Sequence, residues 1–182
     1  MTLMTVYILL LRGVNVSGKN LIKMEQLRRM ATDIGAARAE TYLQSGNLIV
    51  QTKVSAKTFA AKLEKALAKA GIQTTVIARS VEEMEAIAVG NPLLEEKGVD
   101  ASKLHVFFPS EPPSQAGLEK IAKIPAGDDY FAFNESHIYL YCPGGYGKTK
   151  LSNANLEKAL AAPGATRNWN TTLALARMAR GR

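Results

Sequence analysis

TVYILLL, residues Thr5 to Leu11, places Tyr7, Leu9 and Leu11 on one face of a strand and Val6, Ile8 and Leu10 on the other. Side chains alternate along a strand, so a run that is apolar on both faces belongs in the middle of a covered sheet. Downstream, Met24–Ile34 sets Met24, Leu27, Ala31 and Ile34 on one helical stripe, with Gly35 suited to the position just past the helix end. Glu40–Leu43 and Asn47–Gln51 read as a hairpin about Ser45 and Gly46. Ser55 is suited to cap a helix whose Phe59, Leu63, Ala66 and Ala70 share a face, closed by Gly71, and Thr74–Ala78 reads as a last strand. The order β-α-β-β-α-β is that of a ferredoxin-like unit.

The second half repeats much of that order. An acidic helix, Val81–Val89, is followed by the Asn91-Pro92 break and a strand, Leu104–Phe108. A helix around Gln115–Ala122 comes next, then a second hairpin, Tyr130–Phe133 with His137–Cys142. Leu156–Leu160 is helical, with Ser152 as its cap. The final element departs from the first half, because Thr171–Arg180 is rich in Ala and Leu and reads as helix rather than strand. The expectation is an α+β protein of two ferredoxin-like units, residues 1–80 and 81–182, packed together, the second ending in a helix. The doubly apolar first strand also implies that the sheet face without helices is covered, which argues against an open RNA-binding sheet.

Composition narrows the function classes. The single cysteine excludes an internal disulfide framework, and no run approaches the ~20 apolar residues that span a bilayer, so the reading is a cytoplasmic chain with no membrane partner. The net charge of +7 is unevenly spread. Residues 1–30 and 136–182 hold twelve Lys and Arg against Glu25 and Glu157, a balance of +10, which leaves −3 for residues 31–135.

Both basic portions contain a glycine- and lysine-bearing loop after a strand. The first runs Arg12, Gly13, Asn15, Gly18, Lys19, Asn20; the second runs Pro143, Gly144, Gly145, Tyr146, Gly147, Lys148, Lys150. Glycines let a backbone approach a ligand, and successive N–H groups beside lysines make a concave positive site. Cys142–Thr149 matches a nucleotide-binding P-loop except at the initial glycine, where Cys142 stands. Ser152, Asn153 and Asn155 place the helix start too late for that motif, and no second strand supplies a Mg²⁺-holding aspartate. A third polar cluster, Thr166, Arg167, Asn168, Trp169 and Asn170, precedes the last helix, where N–H groups favour an anion.

Each feature also has a scaffold role. Asn15 and Asn20 can satisfy turn backbone, Asn168 or Asn170 can cap a helix, and Trp169 can anchor a core. Catalytic constellations are thin. His105 and His137 lack metal-ligand spacing, Cys142 has no assured activating partner, and carboxylates are missing from the polar motifs apart from Glu157.

The segments LLRGVNVSGKN, TYLQSGNLIV, IYLYCPGGYGKTKLSNANLEKAL and TRNWNT, in that order and spacing, resemble the bacterial family called domain of unknown function 1697. The resemblance runs from Leu9 to about Leu175 and implies an α+β protein of ferredoxin-like parts. It supplies no activity, substrate or cofactor to carry over. It marks Arg12, Gly13, Asn15, Gly18, Lys19, Asn20, then Gln44 to Asn47, then Gly147, Lys150, Leu151 and Arg167 to Asn170.

The functional expectation is a phosphate-type anion, such as a phosphate-bearing small molecule, held by Arg12, Asn15, Lys19, Asn20, Gly147, Lys148, Lys150, Arg167, Asn168 and Asn170, with no metal and no cofactor. Alternatives are a structural or protein-interaction domain, in which these motifs cap and join the units, and a non-specific nucleic-acid binder. Whether the chain catalyses anything is not legible in these residues.

Overall fold

Thr5–Leu11 forms a strand, β1, hydrogen-bonded along both edges in an antiparallel sheet. The structure, a computed structural model, describes residues 3–182. After β1 come α1 (Met24–Asp33), β2 (Ala36–Tyr42), β3 (Asn47–Thr52), α2 (Ala56–Lys69), β4 (Val76–Ser80) and α3 (Val81–Val89). They are followed by β5 (Leu104–Pro109), α4 (Gln115–Ala122), β6 (Tyr130–Asn134), β7 (His137–Tyr141), α5 (Asn153–Leu160), β8 (Gly164–Asn168) and α6 (Trp169–Arg180). The sheets have orders β2-β3-β1-β4 and β6-β7-β5-β8, the same order twice.

In the first sheet the register sorts the faces. Leu9 pairs with Leu48, Tyr7 with Val50 and Leu11 with Val76; these residues meet Leu27, Ala31, Phe59, Leu63 and Leu67 of the two helices. Each such side chain taken out of water contributes about 2 kcal/mol, which is what holds the helices to the strands. The other face carries Ile8, Leu10, Asn47, Ile49 and Ile77, and all of these are buried as well. A strand apolar on both sides is therefore withdrawn from solvent on both sides.

The second sheet follows the same logic. Phe107, Ile138 and Leu140 share a face with Ile121 of α4 and Leu156 of α5, while Val106, Phe108 and Tyr139 lie on the opposite face, also buried. Except at α1, where Lys23 provides no side-chain cap, the starts of several helices are set by side chains. Ser55, Ser114 and Ser152 accept N–H groups in the first turns of α2, α4 and α5. At α3, Ser80 and Glu83 form a capping box, with Ser80 N–H donating to Glu83 at 2.7 Å and Glu83 N–H donating to the Ser80 hydroxyl at 3.1 Å.

One difference from the sequence reading has a physical cause. Between α5 and the last helix lies β8, GATRN, which pairs along β5 from His105–Asn168 to Pro109–Gly164. Gly and Asn make its local β-propensity poor, and it is a strand because β5 offers a free edge to it. β8 thus completes β-α-β-β-α-β in the second half of the chain, ahead of helix α6. By packing, one unit runs to Glu85 and includes Ala174–Arg182, and the other is Ala86–Leu173.

Two glycines are required by contact. At Gly46, where φ is +81°, an added β-carbon would lie 2.5 Å from a methyl of Val14 and 2.8 Å from the β-carbon of Leu11. At Gly164 it would lie 2.1 Å from the Phe107 ring. Gly46→Ala and Gly164→Ala should each lower stability in urea denaturation by about 2–4 kcal/mol. Gly144→Ala, with open space around it, should stay within about 0.5 kcal/mol of wild type. A Gly46→Ala protein as stable as wild type would show that the turn between β2 and β3 relaxes freely.

Candidate functional site

The loop after β1 is held by asparagines. Asn15 and Asn20 adopt left-handed backbone with φ of 55° and 49°, a conformation that Asn tolerates better than most residues. The Asn15 amide donates to the carbonyls of Ile22 at 3.0 Å and Gln44 at 2.7 Å, and its oxygen accepts the Ile22 N–H at 2.8 Å. Asn20 donates to the carbonyls of Gly13 at 3.4 Å and Gln73 at 3.2 Å. Both amides are thereby committed to backbone, which is their scaffold role. Ser17 and Gly18, with φ of 49° and 72°, form a two-residue turn closed by Lys19 N–H to the Val16 carbonyl at 3.0 Å. Arg12 and Lys19 are exposed.

In the hairpin turn before β3, buried Asn47 donates to the Tyr42 carbonyl at 2.8 Å and to the Ser45 hydroxyl at 2.9 Å. Leu11 N–H reaches the Gly46 carbonyl at 2.8 Å, so this turn and the end of β1 form one hydrogen-bonded assembly.

In the second unit the glycine loop is tied down by its aromatic residue. The Tyr146 ring stacks on His105 with centroids 4.6 Å apart, and its hydroxyl accepts the Asn153 N–H at 3.0 Å. Asn153 in turn donates to the Gly164 carbonyl at 3.1 Å and accepts the Thr166 hydroxyl at 2.8 Å. Asn155 holds the Lys150 carbonyl at 2.7 Å, and Glu157 accepts the Gly164 N–H at 2.9 Å. Gly147, Lys148 and Lys150 remain exposed on this framework.

The segment at the end of β8 divides. Arg167 is 8% exposed and lies on the sheet face opposite the helices, paired across from Val106. Its guanidinium donates to the Thr166 carbonyl at 2.9 Å, and burial pushes its pKa down to about 10 against an opposing effect of Tyr146. Asn168 caps α6 by accepting the Thr171 N–H at 2.8 Å. Trp169 is buried, edge-on to Tyr139 at 6.4 Å, and Asn170 is exposed on the first turn of α6.

Of the ten candidate side chains and glycines, Arg12, Asn15, Lys19 and Asn20 therefore belong to one loop of the first unit. Gly147, Lys148, Lys150, Arg167, Asn168 and Asn170 belong to the second unit. There the register Leu104–Tyr141 and His105–Asn168 brings the end of β7 and the end of β8 to the same end of the sheet. Arg79 has no counterpart in the sequence reading. It sits on β4 across from Ile8, buried, and donates to the Ala78 carbonyl at 2.8 Å, the same construction as Arg167 on Thr166. Its signal was a lone charge directly after the apolar run Val76–Ala78.

Chemically, burial disfavours the charged form of three groups around the glycine loop, His105, Cys142 and Tyr146. Burial lowers the His105 pKa, only partly offset by the Lys103 backbone, and burial raises those of Cys142 and Tyr146. A neutral thiol and phenol are the opposite of activated nucleophiles. The exposed lysines and backbone amides suit binding of negative charge instead.

Two outcomes are expected. Asn15→Ala leaves the Ile22 N–H and two carbonyls without their partner and should cost about 2–3 kcal/mol in chemical denaturation. A loss below about 0.5 kcal/mol would mean that water replaces the amide at no cost. Because folded His105 titrates below its ordinary value of about 6.5, the unfolded chain takes up the proton first. The stability linked to it is complete above that value and is lost as pH falls through the folded pKa. His105→Phe, which retains the stack on Tyr146, should show a shallower fall in melting temperature below pH ~6.5 than wild type. Parallel curves would remove His105 from the acid response.

Among proteins of curated function, none matches the chain. Among solved structures, the conserved bacterial protein SP0830 from Streptococcus pneumoniae is similar, with 26% identity and a TM-score of 0.75 over 96% of this chain and 98% of that one. A family described as "Protein of unknown function (DUF1697)" matches residues 4–139, a span that takes in the Arg12–Asn20 loop and the Gln44–Asn47 turn. With most of its length inside that match, the chain belongs to the DUF1697 family.

Proposed function

We propose that the protein binds a phosphate-type anion, with the Gly144–Lys150 loop of the second unit as the principal contact. The observation that carries this reading is an anchored loop bearing exposed charge. Tyr146 is anchored through His105 and Asn153, while Lys148 and Lys150 stand exposed on either side of Thr149. Among the described residues, exposed Gly147 and Lys150 donate their N–H groups to no backbone carbonyl. Two ammonium groups and two backbone donors on a short loop are a suitable set for phosphate oxygens. Asn168 and Asn170, at the same end of this sheet, would supply polar rim rather than charge. In the first unit, Arg12 and Lys19 are the charged members of the loop that Asn15 and Asn20 hold. A cytoplasmic setting accords with a lone buried thiol at Cys142.

A second reading, a structural or interaction domain without a small ligand, is favoured by the full commitment of Asn15, Asn20, Asn153 and Asn168 to scaffold bonds. Thermal melts separate the two. Under the first reading, phosphate or a nucleoside phosphate should raise the wild-type melting temperature by an amount that grows with the logarithm of ligand concentration. Lys148→Met with Lys150→Met should abolish that rise while leaving the ligand-free protein within about 0.5 kcal/mol of wild type. Lys19→Met in the same assay tests whether the first loop takes part. A rise that survives the double substitution would sink the assignment to this loop. Oligonucleotides in place of phosphate address nucleic acid, where binding must weaken steeply with salt.

A further inference from the structure

The first unit carries a surface that anion binding by the second does not use. The Asn15 amide gathers three segments, its own turn, Ile22 and Gln44. Beside each anchor stands an aliphatic residue turned to solvent: Val16 next to Asn15, Leu21 next to Ile22, and Leu43 next to Gln44. Their exposures are 56, 67 and 54%, whereas Ile22 itself is 4% exposed. Leu43 has φ of +58°, a left-handed backbone that a leucine rarely adopts and that its β-carbon disfavours. A leucine held there and left in water gains nothing for the fold. The charges within these stretches are Arg12, Lys19 and Lys23, and the acids that flank them are already paired, Glu25 with Arg29 and Glu40 with Arg38 and Arg182.

We propose that this cluster of turns is a docking surface for an anionic lipid bilayer. Val16, Leu21 and Leu43 enter the acyl boundary while Lys19 and Lys23, with Arg12, meet the headgroup phosphates. The choice of a bilayer over an acidic protein rests on shape. Apolar anchors for a folded partner sit in a pocket of matched form, whereas three aliphatic side chains more than half exposed on two adjoining loops fit a soft apolar phase. Among the described residues no helix is long and apolar enough to cross a membrane, so the attachment is to the surface. This departs from the expectation of no membrane partner, which rested on the lack of a spanning run, a criterion that does not bear on surface attachment.

The test is cosedimentation of the full chain with phosphatidylcholine vesicles and with mixed phosphatidylcholine–phosphatidylglycerol vesicles over a range of salt. The chain should pellet with the mixed vesicles at low salt and progressively less as salt rises. Leu43→Asn should weaken this about tenfold, since it withdraws a buried aliphatic side chain from the acyl boundary. The same variant should melt higher than wild type, because Asn tolerates the left-handed backbone. Loss of binding together with a gain of stability is a result that damage to the fold cannot mimic. Val16→Ser and Leu21→Ser should weaken binding in the same direction. Equal pelleting with both vesicle types, or none with the anionic ones at low salt, overturns the proposal. So does pelleting that the three aliphatic substitutions leave intact, which would be adsorption by charge alone. Binding of an acidic, leucine-containing peptide by a chain that ignores vesicles would transfer the surface to a protein partner and also overturn it.

Discussion

Every peptide group removed from water at the end of a strand must find another partner, and here asparagine supplies it. Asn15 and Asn20 close the loop after β1, Asn47 the turn before β3, Asn153 and Asn155 the loop after β7, and Asn168 the entry to α6. The bonds of Asn15, Asn47, Asn153 and Asn168 are partly buried and each contributes on the order of 1 kcal/mol, while those of Asn20 and Asn155 are exposed and contribute less. Asparagine suits the task because one planar amide both donates and accepts, and because it tolerates left-handed backbone where the chain must reverse. The sheets could not carry apolar residues on both faces if their ends opened to solvent.

Much of this fold is legible in sequence, for identifiable reasons. Apolar period marked β1, α1, α2 and the second hairpin, and serine caps fixed the starts of α2 and α5. The elements that escaped are those whose structure is imposed from outside. β8 has a composition that says turn and is a strand because β5 pairs with it. β2 extends back to Ala36 because β3 is already there to receive it, through a bulge near Ala36 and Arg38.

The polar residues were harder to interpret than the apolar ones. Glycine, lysine and asparagine between two strands describe an anion cradle and a tight turn equally well, since both need left-handed backbone and free donors. Coordinates separate them by asking where each donor points. Asn15 and Asn20 resolve to scaffold, Lys148 and Lys150 remain open to solvent, and Arg167 turns out to be buried against its own strand. Arg79 repeats that arrangement in the first unit. Two edge strands in the same topological place, each with an arginine folded back on the preceding carbonyl, support a common origin of the halves more directly than element order does.

Cys142 gives the second unit a property that its neighbours do not advertise. It is the only thiol in the chain, and it is sealed at the root of the glycine loop, directly after β7, with its N–H on the Lys103 carbonyl at 3.1 Å. An alkylating reagent reaches a buried thiol only when the surrounding structure opens, so its rate of modification reports the frequency of that opening. The protein therefore contains its own chemical clock for breathing at the loop's root, readable by the mass that alkylation adds at a native thiol.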